Sequence, residues 1–258
     1  MIRMNYWKLI SSCVFFALIG CGDDPVESPG VEDSQEYFPL KVGRYIEYQV
    51  DSIVLDDAPG GNTKDTISFQ LREEVVIYQI GVSGDTVYYI HRYRRDQLSD
   101  AWTFKDVWTA NEDENHVLRT EENLTFRKMT HPVYKGLKWI GTSYINPNTI
   151  SLVGTEHMEL YDYWESKVLD VNVAGSIGGF SFPTGQVMHV SQTDTDDDLN
   201  KRYLHETYVR NIGLVHRVDT MLDSRCIDLG DFTPCVDKAW TEHAKKGYIL
   251  SQVMIAHN

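Results

Sequence analysis

From Arg44 onward, apolar and polar residues alternate with a period of two. Ile46, Tyr48 and Val50 interleave with Glu47, Gln49 and Asp51, and Ile67, Phe69 and Leu71 with Ser68, Gln70 and Arg72. Such alternation marks half-buried strands with one wet face. Comparable runs recur at 86–94, 102–110, 116–120, 124–130, 158–170, 186–193, 202–209, 214–222 and 248–256. Turn-forming clusters separate them, among them Pro59-Gly60-Gly61-Asn62, Ser83-Gly84-Asp85, Asn146-Pro147-Asn148 and Asp196 to Asn200. No apolar stripe at helical spacing persists beyond two turns, and no fixed-period repeat is visible. The pattern predicts an all-β protein, a single antiparallel meander of about ten strands. So many strands in one domain must curl into a barrel or half-barrel, or split into a β-sandwich. The bulky inward set Ile46, Tyr48, Val50, Ile67, Phe69 and Leu71 predicts a mostly filled interior.

The first twenty residues follow a different rule. Arg3 and Lys8 precede an apolar run from Leu9 to Ile19, and Leu18-Ile19-Gly20-Cys21 has the form of a lipoprotein signal cleaved before an acylated cysteine. At 1.5 Å per residue the apolar run covers roughly 16 Å, about half of a hydrocarbon core, too short to span it. Residues 1–20 therefore read as signal peptide, and Cys21 as the lipidation site, carrying palmitate-type chains that hold the protein at a membrane. Removing Arg3 and Lys8 from the 24 basic residues leaves 22 against 38 acidic ones, a net charge of −16. That balance excludes nucleic acid and anionic headgroups as partners, since both select basic patches. Between Cys21 and Tyr37 lie six acids and no base, with Pro25, Pro29 and Gly30. Residues 21–36 read as an acidic tether, and 37–258 as the β-rich domain.

Candidate chemistry is sparse. Cys226 and Cys235, nine positions apart, are the thiols left once Cys13 departs with the signal and Cys21 is acylated, and in an oxidising envelope they predict a disulfide. Ala174-Gly175-Ser176-Ile177-Gly178 has the small residues of a nucleophile elbow, but Gly179 to Pro183 cannot begin the helix that such an elbow needs. Asp194, Asp196, Asp198 and Asn200 alternate like calcium ligands, yet the tight-turn glycine is missing and Glu206 falls one position late. The nine histidines are dispersed without metal-binding spacing, and His91, His189, His205 and His216 read as partnered sheet residues. No catalytic residue, metal or cofactor is implied. The 15 Tyr and 6 Trp suit a packed sheet, and also sugar rings or amphipathic ligands.

Three segments carry a resemblance. Tyr37-Phe38-Pro39-Leu40-Lys41-Val42-Gly43-Arg44-Tyr45-Ile46-Glu47-Tyr48, His131 to Gly141 (HPVYKGLKWIG) and Glu206 to Val215 (ETYVRNIGLV) resemble an uncharacterised group of Bacteroidota envelope lipoproteins. That group often has Trp at the position of Ile46. The acidic run after Cys21 is similar to the surface-export signal of Bacteroidota lipoproteins. Asp-Ser/Thr-apolar triplets at Ser52, Thr66, Thr86 and Thr220 are similar to the O-glycosylation sequon of that lineage's envelope proteins, and equally ordinary at strand ends. The resemblance implies an outer-membrane lipoprotein, periplasmic or surface-exposed, with other envelope proteins or glycans as candidate partners. A non-enzymatic binding or envelope-assembly module is the leading expectation. The second is a lipid or hydrophobic-ligand carrier on a LolA-like half-barrel. The third is a glycan-acting envelope enzyme using paired carboxylates.

Overall fold

The computed structural model describes residues 34–56, 64–81, 84–113, 115–231 and 233–258; the signal segment, Cys21 and most of the acidic tether lie outside them. Ser34–Tyr37 forms a 3-10 turn, so the last residues of the expected tether are ordered. The first half of the chain builds β1 (Tyr45–Leu55), β2 (Asp65–Ile80), β3 (Thr86–Arg95), β4 (Thr103–Glu112), β5 (His116–Glu121) and β6 (Leu124–Thr130). Then come three short strands, β7 (Lys138–Ile140), β8 (Ile150–Val153) and β9 (Glu156–Glu159). The second half builds β10 (Glu165–Ile177), β11 (Phe180–Asp196), β12 (Asn200–Val209), β13 (Gly213–Ser224) and β14 (Ala244–His257). Two single-turn helices, α1 (Cys226–Leu229) and α2 (Trp240–His243), interrupt the approach to β14.

Twelve strands form one antiparallel sheet in the order β6-β5-β4-β3-β2-β1-β14-β13-β12-β11-β10-β7, with β8 and β9 a separate hairpin. The expected single meander is thus two meanders joined where β1 pairs with β14, in register from Ser52 with Leu250 to Leu55 with Gly247. The edges β6 and β7 come together where the Arg127 amide donates to the Gly141 carbonyl at 2.8 Å and the Trp139 indole donates to the Arg127 carbonyl at 2.8 Å. The sheet is a nearly closed barrel, which leaves little free edge for unwanted pairing. At Gly247, with φ +128°, an added Cβ would lie 1.9 Å from the Met221 carbonyl oxygen, so only glycine lets β14 approach β13 there.

Alternation works as expected along β1 and β2. The register pairs Tyr48 with Leu71 and Val50 with Phe69, on one face, and Tyr48, Val50 and Leu71 are buried. Ile67, nearer the strand end, is 37% exposed. The interior is layered. One apolar cluster, with Phe38, Val75, Ile90, Val117, Met188 and Tyr208, fills the end where the N-terminal segment crosses the barrel. A second, with Phe126, Met158, Leu160, Trp164, Leu204 and Met221, fills the opposite end. On β12, Glu206 sits between Leu204 of one cluster and Tyr208 of the other, so the layer between them is charged.

Candidate functional site

That middle layer holds Glu73, Arg92, Arg119, Glu121, Lys128, Glu206, Arg217 and Asp219, four acids against four bases. The Arg119 guanidinium donates to both Glu73 oxygens at 2.9 and 2.8 Å, and Arg92 reaches Glu73 at 3.2 Å. The Trp108 ring lies beneath both cations, 3.4 Å from the Arg92 guanidinium carbon and 4.6 Å from that of Arg119. Lys128 contacts Glu206 at 2.5 Å and Glu121 at 3.7 Å, while Arg217 bridges Glu121 at 3.1 Å and Asp219 at 2.7 Å. Neutral donors add to the shell: Gln192 and Tyr208 donate to Glu206 at 2.8 and 2.6 Å, and Tyr248 to Asp219 at 3.2 Å.

Burial alone would lift the carboxyls of Glu121, Glu206 and Asp219 toward the neutral form. For Glu121, Lys128 and Arg217 outweigh it and hold the group well below the usual range. Glu206 is likewise held down, against burial, by Lys128 and Arg217. Asp219 goes the other way, because burial outweighs its single bridge to Arg217. These carboxylates are occupied by fixed partners and enclosed between apolar layers, which suits a structural network and not an acid–base pair open to substrate.

The two ends of the barrel differ. Beneath the N-terminal segment a small apolar cavity of about 60 Å³ is lined by Phe38, Leu40, Ile46, Val75 and Ile212, with Glu73 and Arg119 at its floor. It has room for about four waters. The opposite end opens into a polar cleft of about 540 Å³. Thr193, Thr195, Asn200 and Lys246 line it from the sheet; Glu159 and Asp162 face it from the segment around the β8–β9 hairpin. Arg202 ties this frame together, donating to the Leu222 carbonyl at 2.8 Å, the Glu159 carbonyl at 3.0 Å and Asp223 at 2.6 Å. Asp56 accepts from the Thr155 amide at 2.6 Å and hydroxyl at 2.8 Å, which docks the hairpin turn.

Cys226 and Cys235 are disulfide-bonded, as the sequence predicts. The loop is pinned through Ser224, whose hydroxyl oxygen accepts from the Cys226 amide at 3.1 Å and lies 3.1 Å from His243 Nδ1. Ile227 from this loop completes the polar cleft. Of the sequon residues, Ser52 and Thr220 are each 9% exposed, Thr66 is exposed and Thr86 half-buried. Ser176 lies within the β10–β11 hairpin, 3.2 Å from the Ser181 hydroxyl. The alternating acids diverge: Asp194 lies 3.5 Å from His205, Asp196 bonds the Trp240 indole at 2.6 Å, and Glu206 points inward, while the intervening Asp197 caps the turn by accepting from the Leu199 and Asn200 amides. His189 pairs with the Thr207 hydroxyl at 3.1 Å, His205 with the Tyr203 hydroxyl at 3.2 Å and His91 with the Tyr93 hydroxyl at 3.3 Å. Among the described residues no group of three or more His, Cys, Asp or Glu has a geometry that could hold a metal ion.

The sequence reading missed the ionic layer. A usable signal was present on β5, where Val117, Arg119 and Glu121 share one parity and all three are buried. Opposite charges two residues apart, on the same face as a core residue, mark a paired interior charge.

No known family's sequence profile matches the chain, and no curated protein matches it. Two solved structures are similar. One, from Bacteroides fragilis, is described as an exported protein with a YmcC-like fold; it is 10% identical, with a TM-score of 0.35, over 86% of this chain and 98% of its own. The other, described as a lipoprotein from Parabacteroides distasonis, is 12% identical, with a TM-score of 0.36, over 88% of this chain and 100% of its own.

Proposed function

We propose that this protein is a lipid-anchored, non-enzymatic binding module of the Bacteroidota outer membrane, whose barrel is a rigid spacer and whose distal polar cleft receives a hydroxyl-rich envelope ligand, a glycan above all. The carrying observation is positional. The N-terminal chain enters at the end closed by Phe38 and Leu40, and the cleft of about 540 Å³ opens at the other. An eleven-residue strand such as β1 separates the two ends by about 35 Å. Thr193, Thr195 and Asn200 interleave hydroxyl and amide groups with the acceptors Glu159 and Asp162 and the donor Lys246. Sugar hydroxyls both donate and accept, and so match such a mixed surface. A carrier of acyl chains needs an apolar cavity, and the apolar cavity here holds only about 60 Å³ above a floor of ion pairs.

The test uses the acylated full-length protein. Mass spectrometry of the membrane-bound form should find Cys21 as the acylated N-terminus, and Cys21→Ala should leave the membrane. Envelope polysaccharide fractions should bind the detergent-solubilised protein, and Asp162→Asn with Lys246→Ala should weaken that binding at least about tenfold by removing partners that the ligand hydroxyls would use. Binding unchanged by both substitutions would defeat the assignment of the cleft.

A further inference from the structure

The β2–β3 hairpin stands out by what it lacks. Between Val75 and Ile90 the only charged residue is Asp85, whereas a chain with 24% charged residues would place about four in sixteen positions. Ile77, Tyr78 and Ile80 are 51, 52 and 70% exposed. The Tyr78 ring lies 5.8 Å from that of Tyr88, and the Tyr89 hydroxyl donates to Gln79 at 3.0 Å. The N-terminal segment grips β2 at Val75, where the Gly43 amide donates to the Val75 carbonyl at 2.8 Å and the Val75 amide to Arg44 at 2.9 Å. From there β2 runs on to Ile80, projecting about 16 Å past the strap.

We propose that this projecting end is a membrane-contact element, in which Ile77, Tyr78 and Ile80 enter the interfacial layer of the same bilayer that holds the acyl chains of Cys21. The inference rests on the anchored reading above. Twelve residues separate Cys21 from Ser34, the first described residue, which lies at the hairpin's end of the barrel: Glu36 there accepts from the Asn211 amide at 2.6 Å. Twelve residues can reach at most about 40 Å, which keeps this end near the lipid surface. Without residues 1–20 the acylated chain has 22 basic against 38 acidic residues, so a hairpin whose single charge is Asp85 is the part of it that headgroups tolerate best. Tyrosines beside isoleucines suit the headgroup boundary, where the ring is apolar and the hydroxyl stays wet. Three side chains cover far less than the roughly 800 Å² per partner that a stable dimer buries, which disfavours a second copy as the occupant.

The experiment uses the acylated protein on phosphatidylethanolamine–phosphatidylcholine vesicles, with an environment-sensitive fluorophore on Ile80→Cys or, as the distal control, on Asp198→Cys. With Cys21 acylated and Cys226 bonded to Cys235, the introduced thiol is the one that reacts. Brominated lipid should quench the label at position 80 by about twofold, as expected for insertion of 5–10 Å, and leave the label at 198 unchanged. Adding Ile77→Asp should abolish that quenching while Cys21 keeps the protein on the vesicle; Ile77→Lys, equally exposed, should do the same. An unquenched label on vesicle-bound protein overturns the proposal, as does a label response that appears only at high protein density, the signature of self-association, or a glycan found on Thr86. Failure of the anchor is read separately, from an unacylated Cys21 mass or a Cys21→Ala protein that stays bound.

Discussion

Replacing Lys128 by methionine tests whether the ionic layer is held by mutual compensation. The side chains of Lys128 and Glu206 are 3% and 0% exposed, and Lys128 also lies 3.7 Å from Glu121. Methionine keeps most of the volume and removes the charge. Glu121 keeps Arg217 at 3.1 Å and Arg119 at 3.5 Å, whereas Glu206 loses its ion-pair contact and keeps the neutral donors Gln192 and Tyr208 with the more distant field of Arg217. Breaking one partner out of a buried pair costs about 3–5 kcal/mol, chiefly because the remaining charge is left uncompensated. For a domain of this size that corresponds to a fall in melting temperature of roughly 6–20 °C. The pH dependence gives the mechanism. In the unaltered protein Glu121 and Glu206 are held down, so their stabilisation is present above the unfolded carboxyl range and lost as pH falls through it. Without Lys128, burial raises Glu206, and its protonated form is favoured; the deficit should then shrink on acidification and grow toward neutral pH. Urea unfolding followed by circular dichroism at neutral and mildly acidic pH measures both. Lys128→Met combined with Glu206→Gln should recover at least half of the loss. A single variant within about 1 kcal/mol of the parent, or a double variant as unstable as the summed singles, would refute the reasoning.

Burial, reinforced for His216 by His189, holds both histidines below their ordinary value, so NMR titration should find both neutral at pH 7; their contribution to stability is present above the unfolded histidine range and lost as pH falls through it. Cys226→Ser with Cys235→Ser should destabilise by about 2.5–3 kcal/mol from loop closure, and peptide mapping without reductant should recover the two cysteines linked in the parent. Gly247→Ala should cost at least about 3 kcal/mol by thermal unfolding, because its Cβ would meet the Met221 carbonyl; Gly84→Ala, also at positive φ but with open space around it, is the control that isolates the clash and should cost less.

The strands were legible because each carries its own alternation, and the positions of Tyr48, Val50 and Leu71 follow from it. The short strands β7 and β8 were not, since three or four residues cannot establish a period. Nor was the β1–β14 seam, because a period of two says which face a residue takes and nothing about which distant strand lies beside it. The polar cleft is assembled from Thr193, Asp162, Ile227 and Lys246, which sequence order keeps far apart. The charged interior was hidden for a deeper reason. Residue type assigns charges to water, but on β5 Arg119 and Glu121 share the parity of Val117, so type and period give opposite answers there and the period is the one that holds. Closing twelve strands instead of eight widens the barrel beyond what Val or Leu can fill across its middle. Side chains that reach the centre must be long, and Arg, Lys, Glu and Tyr are the long ones available. An arginine brought there has to meet a carboxylate, or the cost of burial exceeds what the fold can sustain. The wide barrel and the four-against-four network are therefore one solution, with strand count setting the radius and the radius selecting paired charges.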